Sequence, residues 1–432
     1  MKHCANTAHI LMPKSNIDLH KWAVVACDQY TSQPDYWAKA ADIVGDNISS
    51  LHLILPEVYL EKENTSEKIK KIHNTMNEYI QNNIFSALPE GMMLIARDTG
   101  KIRKGLVLQF DLEEYDYKLG SKSKIRPTEK TVEERIPPRL AVRDGASIEI
   151  PHIMIMIDDP DRKIIEPLYE KRDTFSKLYD VELMQNGGHL TGWFIPKSVE
   201  TENILNMLDN LANAEIFAQK YNTSLDTPVL PFAVGDGNHS MATAKAYWEK
   251  IKSTLSEDEK LNHPARFILA ELVNIHDESI IIEPIHRILF DVDIENLFES
   301  AVKFFESKNA KCKIANSIEN QNSHAFPFET KDKKGVLIIE NSPYALPIAS
   351  IQTFLDEYII QNPNTKIDYI HGDDVLSELA ANDNSIGFFM PTLKKDDLFK
   401  GVIFDEVLPR KTFSMGDARE KRFYMEAKMI VK

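Results

Sequence analysis

Apolar and polar positions along this chain recur with two different periods, and the switches between them mark out its elements. Residues 66–84 (SEKIKKIHNTMNEYIQNNI) repeat apolar side chains at three- and four-residue spacing, which predicts an amphipathic helix. MMLIAR and KGLVLQFDLEEYDY read as strands joined by the turn Asp98-Thr99-Gly100-Lys101. HIMIMIDD, from His152, predicts a buried strand that ends in Asp158-Asp159-Pro160. A long helical pattern over 200–221 precedes the apolar run VLPFAV, and an alanine-rich helical pattern follows that run. FILAELVNI and SIIIEPIHRIL predict two further strands around the turn His276-Asp277-Glu278.

Near residue 291 the composition restarts. DIENLFESAVKFFESK predicts a helix and NSIENQNSHAF a loop; KGVLIIEN, PIASIQTFLDEYII, KIDYIHGD and SIGFFMP then alternate again. We therefore expect a larger region over 1–290 and a smaller C-terminal α/β part over 291–432. Helical and extended patterns alternate throughout, which defines an α/β or α+β fold with mixed sheets. Periodicity alone does not choose the topology.

At 432 residues the chain is too long for one ordinary core. Its formal charge of -15 disfavours nucleic acid and anionic membranes as partners, since either surface would repel it. A local basic pocket for a small anion is compatible with that charge. The longest apolar runs are strand-sized, so no transmembrane helix is expected, and MKHCANTAHILMPKSN lacks the pattern of a signal peptide. Cys4, Cys27 and Cys312 are too few and too scattered for a disulfide framework or a zinc knuckle. These features point to a cytoplasmic protein.

The densest chemistry lies at one strand-to-helix corner, Gly235-Asp236-Gly237-Asn238-His239-Ser240. Unpaired N–H groups at a helix start, together with the helix dipole, favour an anion there. Glycines Gly235 and Gly237 let a phosphate approach the backbone without Cβ interference. Asn238 or Ser240 suits a helix cap, and His239 suits a phosphate donor or an acid/base. Asp236 is repulsive to phosphate unless it caps N–H groups, takes a proton or binds a cation. An Asp-Gly turn with an Asn cap would use the same letters and no ligand. No Gly-Lys pair makes the corner a Walker A loop, and it is not G-x-G-x-x-G. Gly237-Asn238-His239 also matches one ligand turn of binuclear metallophosphatases. Of that family's other pieces, only Asp18-Leu19-His20 has a counterpart.

Asp236-Gly237-Asn238-His239-Ser240, with Ala242, Ala244 and Tyr247 after it, resembles the D-G-[HN]-H-R box of the family called domain of unknown function 1015. The resemblance extends to RPTEKTVEERIPPR from Arg126, to Asp158-Asp159-Pro160, to Pro284-Ile285-His286-Arg287 and to Pro409-Arg410-Lys411, and so covers most of the chain. On the box alone, the chain is also similar to the ParB/sulfiredoxin superfamily and its free-serine kinases. That resemblance implies a ParB/sulfiredoxin-like region over 1–290, with a nucleotide phosphate on this helix start and a carboxylate elsewhere activating a hydroxyl. Two departures matter. The box arginine is Ser240 here, so another cation is needed; the sulfiredoxin cysteine is Asn238, which removes that redox chemistry.

Candidate partners for the corner come from two segments. Arg126, Lys130, Arg135, Arg139 and Arg143 form the longest cation-rich stretch, and a guanidinium suits phosphate or carboxylate. Pro137-Pro138 predicts that this stretch wraps as a loop. Glu129, Glu133 and Glu134 would equally neutralise it as a plain surface, and the family resemblance is what favours Arg126 and Glu129 as site residues. Ala26-Cys27-Asp28-Gln29-Tyr30-Thr31-Ser32 follows an apolar run, where α/β sheets place binding residues. It resembles the family's Pro-Tyr-Asp segment, with Asp28 as the acid. Gln185-Asn186-Gly187-Gly188-His189 reads as a hairpin turn or a backbone contact to ligand, and His286-Arg287 as a buried pair satisfied by a carboxylate.

The expected activity is phosphoryl transfer to the hydroxyl of a small metabolite, as in the free-serine kinases. Gly235 to Ser240 would hold phosphate, Arg126 would offset charge, and Asp28, Glu129 and His239 would be the catalytic side chains. ATP or ADP would be the donor, with Mg²⁺ bridging oxygens and Asp236 as its ligand. Phosphatase chemistry on a small phosphometabolite would use the same parts. A non-catalytic nucleotide-binding switch is the reading from a different class.

Overall fold

The computed structural model describes residues 3–60, 64–317, 323–370, 372–406, 408–409 and 412–432. The chain forms two compact units, Met1–Ile280 with Gly416–Lys432, and Ile281–Met415. This division differs from the split expected at 291. The composition shift marks the start of a helix, Ile294–Ser307, inside the second unit, whose first strand pair already includes Ile282–Pro284.

The first unit is built on a ten-stranded mixed sheet. Its strands are β1 (Ala5–Asn6), β2 (Ala8–Pro13), β3 (Phe85–Asp98), β4 (Ile102–Asp111), β5 (Ile125–Pro127), β7 (Met154–Ile157), β8 (Ser176–Glu182), β9 (His189–Pro196), β10 (Phe232–Asp236) and β11 (Phe267–Asn274); a short strand β6 (Ile148–Glu149) lies outside it. The order is β5-β10-β7-β11-β4-β3-β9-β8, with β1 on β4 and β2 on β3. β10 runs parallel to β5 and antiparallel to β7, so its C-terminal end projects beside the start of β7. β7 is apolar and buried along its whole length, and β10 over Phe232–Val234, before the half-buried Gly235 and Asp236. β3 and β4 form the expected hairpin, and the amphipathic pattern becomes the helix Thr65–Gln81, which buries Ile72, Met76 and Tyr79.

Two elements depart from the sequence expectation. The pattern over 200–221 is two helices, Val199–Asn210 and Ala214–Tyr221, because the Asn213 side chain caps the second by accepting from the Glu215 and Ile216 amides. Pro137-Pro138 starts a helix instead of preventing one. They stand in the first turn of Ile136–Arg143, where an N–H would have no helical acceptor. That helix packs on Asn238–Lys252, the helix that leaves the corner.

Gly416–Lys432 closes the first unit. Lys428–Met429 pairs with β6, and the Tyr424 amide donates to the Val24 carbonyl. The buried Arg422 guanidinium donates to the Pro151 carbonyl, to Glu271 Oε2 at 2.9 Å and to Glu426. Arg103 reaches the other oxygen of Glu271 at 3.2 Å. Each of these buried charges is compensated by a partner, without which burial would be prohibitive.

The second unit carries a six-stranded sheet in which every pairing is antiparallel. Its buried His286 Nε2 lies 2.7 Å from Asp373 Oδ1, and Arg287 donates to Gln352, so this pair is satisfied as a core pair would be. Arg410 and Lys411 of the Pro409-Arg410-Lys411 match lie outside the described residues.

Candidate functional site

The corner is formed as its letters require. Gly237 takes φ +76°, and a Cβ there would come within 3.1 Å of the Ile153 backbone, so glycine is needed both for conformation and for contact with the start of β7. The helix begins at Asn238 with no side-chain cap from Gly237. Its first N–H groups therefore have no intrahelical partner, and the positive end of the dipole faces outward. The buried Asn238 Oδ1 makes no hydrogen bond.

Three elements meet at this helix start. His152, just before β7, is buried, with Nε2 3.3 Å from Asp28 Oδ2 and 3.1 Å from Ser240 Oγ. Its Nδ1 lies 2.9 Å from the Tyr424 hydroxyl, which fixes the ring plane from the tail. Asp28 is half-buried and also accepts from Gln29 at 3.0 Å. Burial would raise the Asp28 carboxyl, but the charge and hydrogen bond of His152, Gln29 and the Lys421 charge hold it well below the usual range. Burial would lower His152, yet Asp28, Asp236 and Glu57 keep it above its ordinary value. The two groups therefore stand as an ion pair with the carboxylate ionised.

Asp236 faces Lys421 Nζ at 3.5 Å, an ion pair too long for a good hydrogen bond, and Asp236 Oδ2 is left without a hydrogen-bond partner. Its carboxyl is raised by burial, against the pull of Lys421 and with the push of the Asp28 carboxylate. His239 accepts the Val132 amide on Nε2 at 3.2 Å. Burial and the charges of Arg139 and Arg135 push it down to about 4, so the ring is neutral at pH 7 with its proton on Nδ1. Thr128 donates through both its amide and its hydroxyl to the Val234 carbonyl, so the chain reaches the half-buried Glu129 beside the corner.

Arg126 is placed differently from the expectation. Its guanidinium donates to the Ser121 and Pro228 carbonyls, in the loops that precede β5 and β10, at the opposite end of these strands from Gly235–Ser240. Burial pushes this arginine down to about 10. The cations whose fields reach the corner are Lys421, Arg135 and Arg139. Sequence reasoning missed His152 and Lys421. His152 was visible only as the first letter of a strand, and Lys421 reaches the corner solely because the tail returns. Among the described residues, no group of three or more His, Cys, Asp or Glu side chains is arranged to hold a metal ion.

The fold is mixed α/β, and a helix start without a side-chain cap lies beside a carboxylate fixed by a buried histidine. The chain belongs to the family described as protein of unknown function (DUF1015), whose profile matches residues 11–358. No curated protein matches the chain. Among solved structures, it is similar to a free serine kinase variant in complex with ADP, at 9% identity over 76% of this chain and 94% of that one, with a TM-score of 0.39. It is also similar to a conserved hypothetical protein from Pyrococcus furiosus, at 11% identity over 75% and 95%, with a TM-score of 0.35. No helix among the described residues is long and apolar enough to cross a membrane.

Proposed function

We propose that the chain transfers a phosphoryl group from ATP or ADP to the hydroxyl of a small metabolite. The observation that carries this reading is the convergence of an ionised carboxylate, Asp28, with an uncapped helix start at Gly237–Ser240, bridged by one buried imidazole. The helix-start N–H groups bind the phosphate oxygens, and Lys421 and Arg135 offset their charge. Asp28 accepts the hydrogen bond of the acceptor hydroxyl and so aims its oxygen at phosphorus. As the new O–P bond forms and the bond to the leaving nucleotide breaks, the hydroxyl proton passes to the carboxylate. Glu129, at the edge of the corner, is next in line for this role. Arg126 ties together the two loops that precede β5 and β10, a supporting role away from phosphate.

Asp236 fits a Mg²⁺ that arrives with the nucleotide, because its buried Oδ2 lacks a hydrogen-bond partner and Mg²⁺ at phosphates needs only one or two protein carboxylates. If bound there, the ion would supply charge neutralisation to the phosphates. His152 keeps Asp28 ionised and in place, and neutral His239 offers its Nδ1–H as a donor.

Calorimetric titration with ATP, ADP and CTP, with and without Mg²⁺, tests the binding half of this reading. Phosphorus NMR of the protein with nucleotide and a mixture of small hydroxyl compounds tests the transfer half. We expect binding of at least one nucleotide and a new phosphate ester. Binding without any transfer would make the protein a switch, and no binding at all would remove the proposal.

A further inference from the structure

A pocket of about 150 Å³ opens next to the reacting cluster, with His152, Ser240 and Tyr424 on its wall. The rest of that wall is largely aliphatic, including Leu53, Ile54, Leu55, Ile148, Ile150 and Ile153. Its carboxylates and guanidiniums are paired with one another, although the buried Arg143 Nε has no acceptor. Glu57 pairs with Arg139, and Glu149 with Arg143 at 2.6 Å, all four side chains at most 14% exposed. A ligand that brought its own ammonium or carboxylate into this space would break one of those pairs or leave a charge unmatched, and either is costly. An apolar group meets no such penalty. A cavity of this volume, lined by such side chains, accepts a group about the size of a benzene ring.

We infer that this pocket selects the acceptor, and that the acceptor is a hydroxyl compound with a compact aliphatic body of roughly four to six carbons. The inference rests on the phosphoryl-transfer reading and names the substrate class of the same site. Its hydroxyl lies toward Asp28 and Ser240, and its aliphatic body fills the space between residues 53–55 and 148–153. Small, fully polar acceptors leave the space between residues 53–55 and 148–153 to be filled by water, which the aliphatic part of the wall cannot bind.

The test separates acceptor choice from nucleotide binding. Cyclohexylmethanol, 3-methyl-1-butanol, glycerol and L-serine are each titrated against the full chain saturated with ADP, and against the free chain, by thermal shift and ligand-observed NMR. The two apolar alcohols are expected to bind at least tenfold more tightly than glycerol or L-serine. Val142→Phe, which fills the pocket from a half-buried position, should abolish that preference and leave ADP affinity within twofold. Ala146→Leu does the same from another wall and serves if Val142→Phe fails to fold. Equal or tighter binding of glycerol or L-serine would overturn the inference, as would apolar binding that survives both filled variants. Absence of binding by ADP and by ATP, with the apolar preference intact, would remove the phosphoryl-transfer reading and leave the pocket's selectivity standing.

Discussion

Asp28 and Ser240 meet on the same atom: both approach Nε2 of His152, at 3.3 and 3.1 Å. One nitrogen thus couples the carboxylate from the N-terminal segment to the first turn of the corner helix. A bare Asp-Gly turn with an Asn cap would need neither partner.

Asp28→Asn removes the charge and keeps the shape. Turnover should fall by roughly 10²–10⁴-fold, the range for a lost general acid-base group, while nucleotide affinity stays within a few-fold. Calorimetry and a coupled nucleotide assay on the same preparation read the two effects. Equal loss of binding and thermal stability would make Asp28 a structural residue, and unchanged turnover would pass its role to Glu129.

Lys421 and Arg126 should part company. Lys421→Met is expected to weaken nucleotide binding by about 1.5–3 kcal/mol, the range for a charge-assisted hydrogen bond. Arg126→Ala strands the Ser121 and Pro228 carbonyls, so it should lower stability by about 1–3 kcal/mol and leave affinity nearly unchanged. Denaturant unfolding and calorimetry on both variants decide this. An Arg126→Ala protein of normal stability and poor affinity would return the phosphate role to Arg126.

The Asp28–His152 pair predicts an alkaline loss of stability. His152 titrates above its unfolded value of about 6.5, so its contribution is full below that pH and fades as pH rises through the raised folded value. Asp28 is depressed, so its contribution is present above the unfolded carboxylate value and is lost only in strong acid. The melting temperature of the native protein should therefore decline above neutrality. That decline should shrink in Asp28→Asn, and an unchanged slope would show that the pair is not ionic.

All three thiols should be inert in the folded protein. Burial pushes Cys27 and Cys312 up to about 12 and raises Cys4 well above its ordinary value. Iodoacetamide at pH 8 should label none of them until denaturant is added, as mass spectrometry would report. Rapid labelling of native Cys27, which is half-buried beside Tyr424, would contradict the upward shift of its thiol.

Gly237→Ala tests the corner itself. A side chain at φ +76° and 3.1 Å from the Ile153 backbone should cost roughly 1–3 kcal/mol. The same change should weaken nucleotide binding by tilting the helix start. Full stability in this variant would mean that the backbone has room the structure does not give it.

Much of the first unit was legible in the sequence because strands such as β3, β4 and β11 are long and bounded by turn residues. The β3–β4 hairpin and the apolar β10 needed only period and punctuation. The double proline was misread because proline stops a helix from inside but begins one from its first turn, and periodicity does not say which turn it occupies. The corner was legible because glycine, amide and hydroxyl residues have local reasons to cluster. His152 and Lys421 were not, since a histidine before a strand and a lysine near the terminus acquire meaning only through contacts distant in sequence. Arg126 shows the converse: a cation near a corner in strand register still points where its own side chain finds oxygen.

The return of Gly416–Lys432 gives the site an order of construction. Lys421 and Tyr424 are synthesised after the whole of Ile281–Met415, so a nascent chain that has completed residues 1–280 still lacks two walls of its own site. Until the tail arrives, Glu271 waits without Arg422, and a buried carboxylate with half its partners is a reason for the unit to stay open. Domains usually fold in order as they emerge; this one has to hold its sheet unsealed while a second unit is made. A chain cut anywhere between Ile281 and Gly416 would therefore carry the full glycine corner but lack the Lys421 and Tyr424 side chains that stand beside Asp236 and His152.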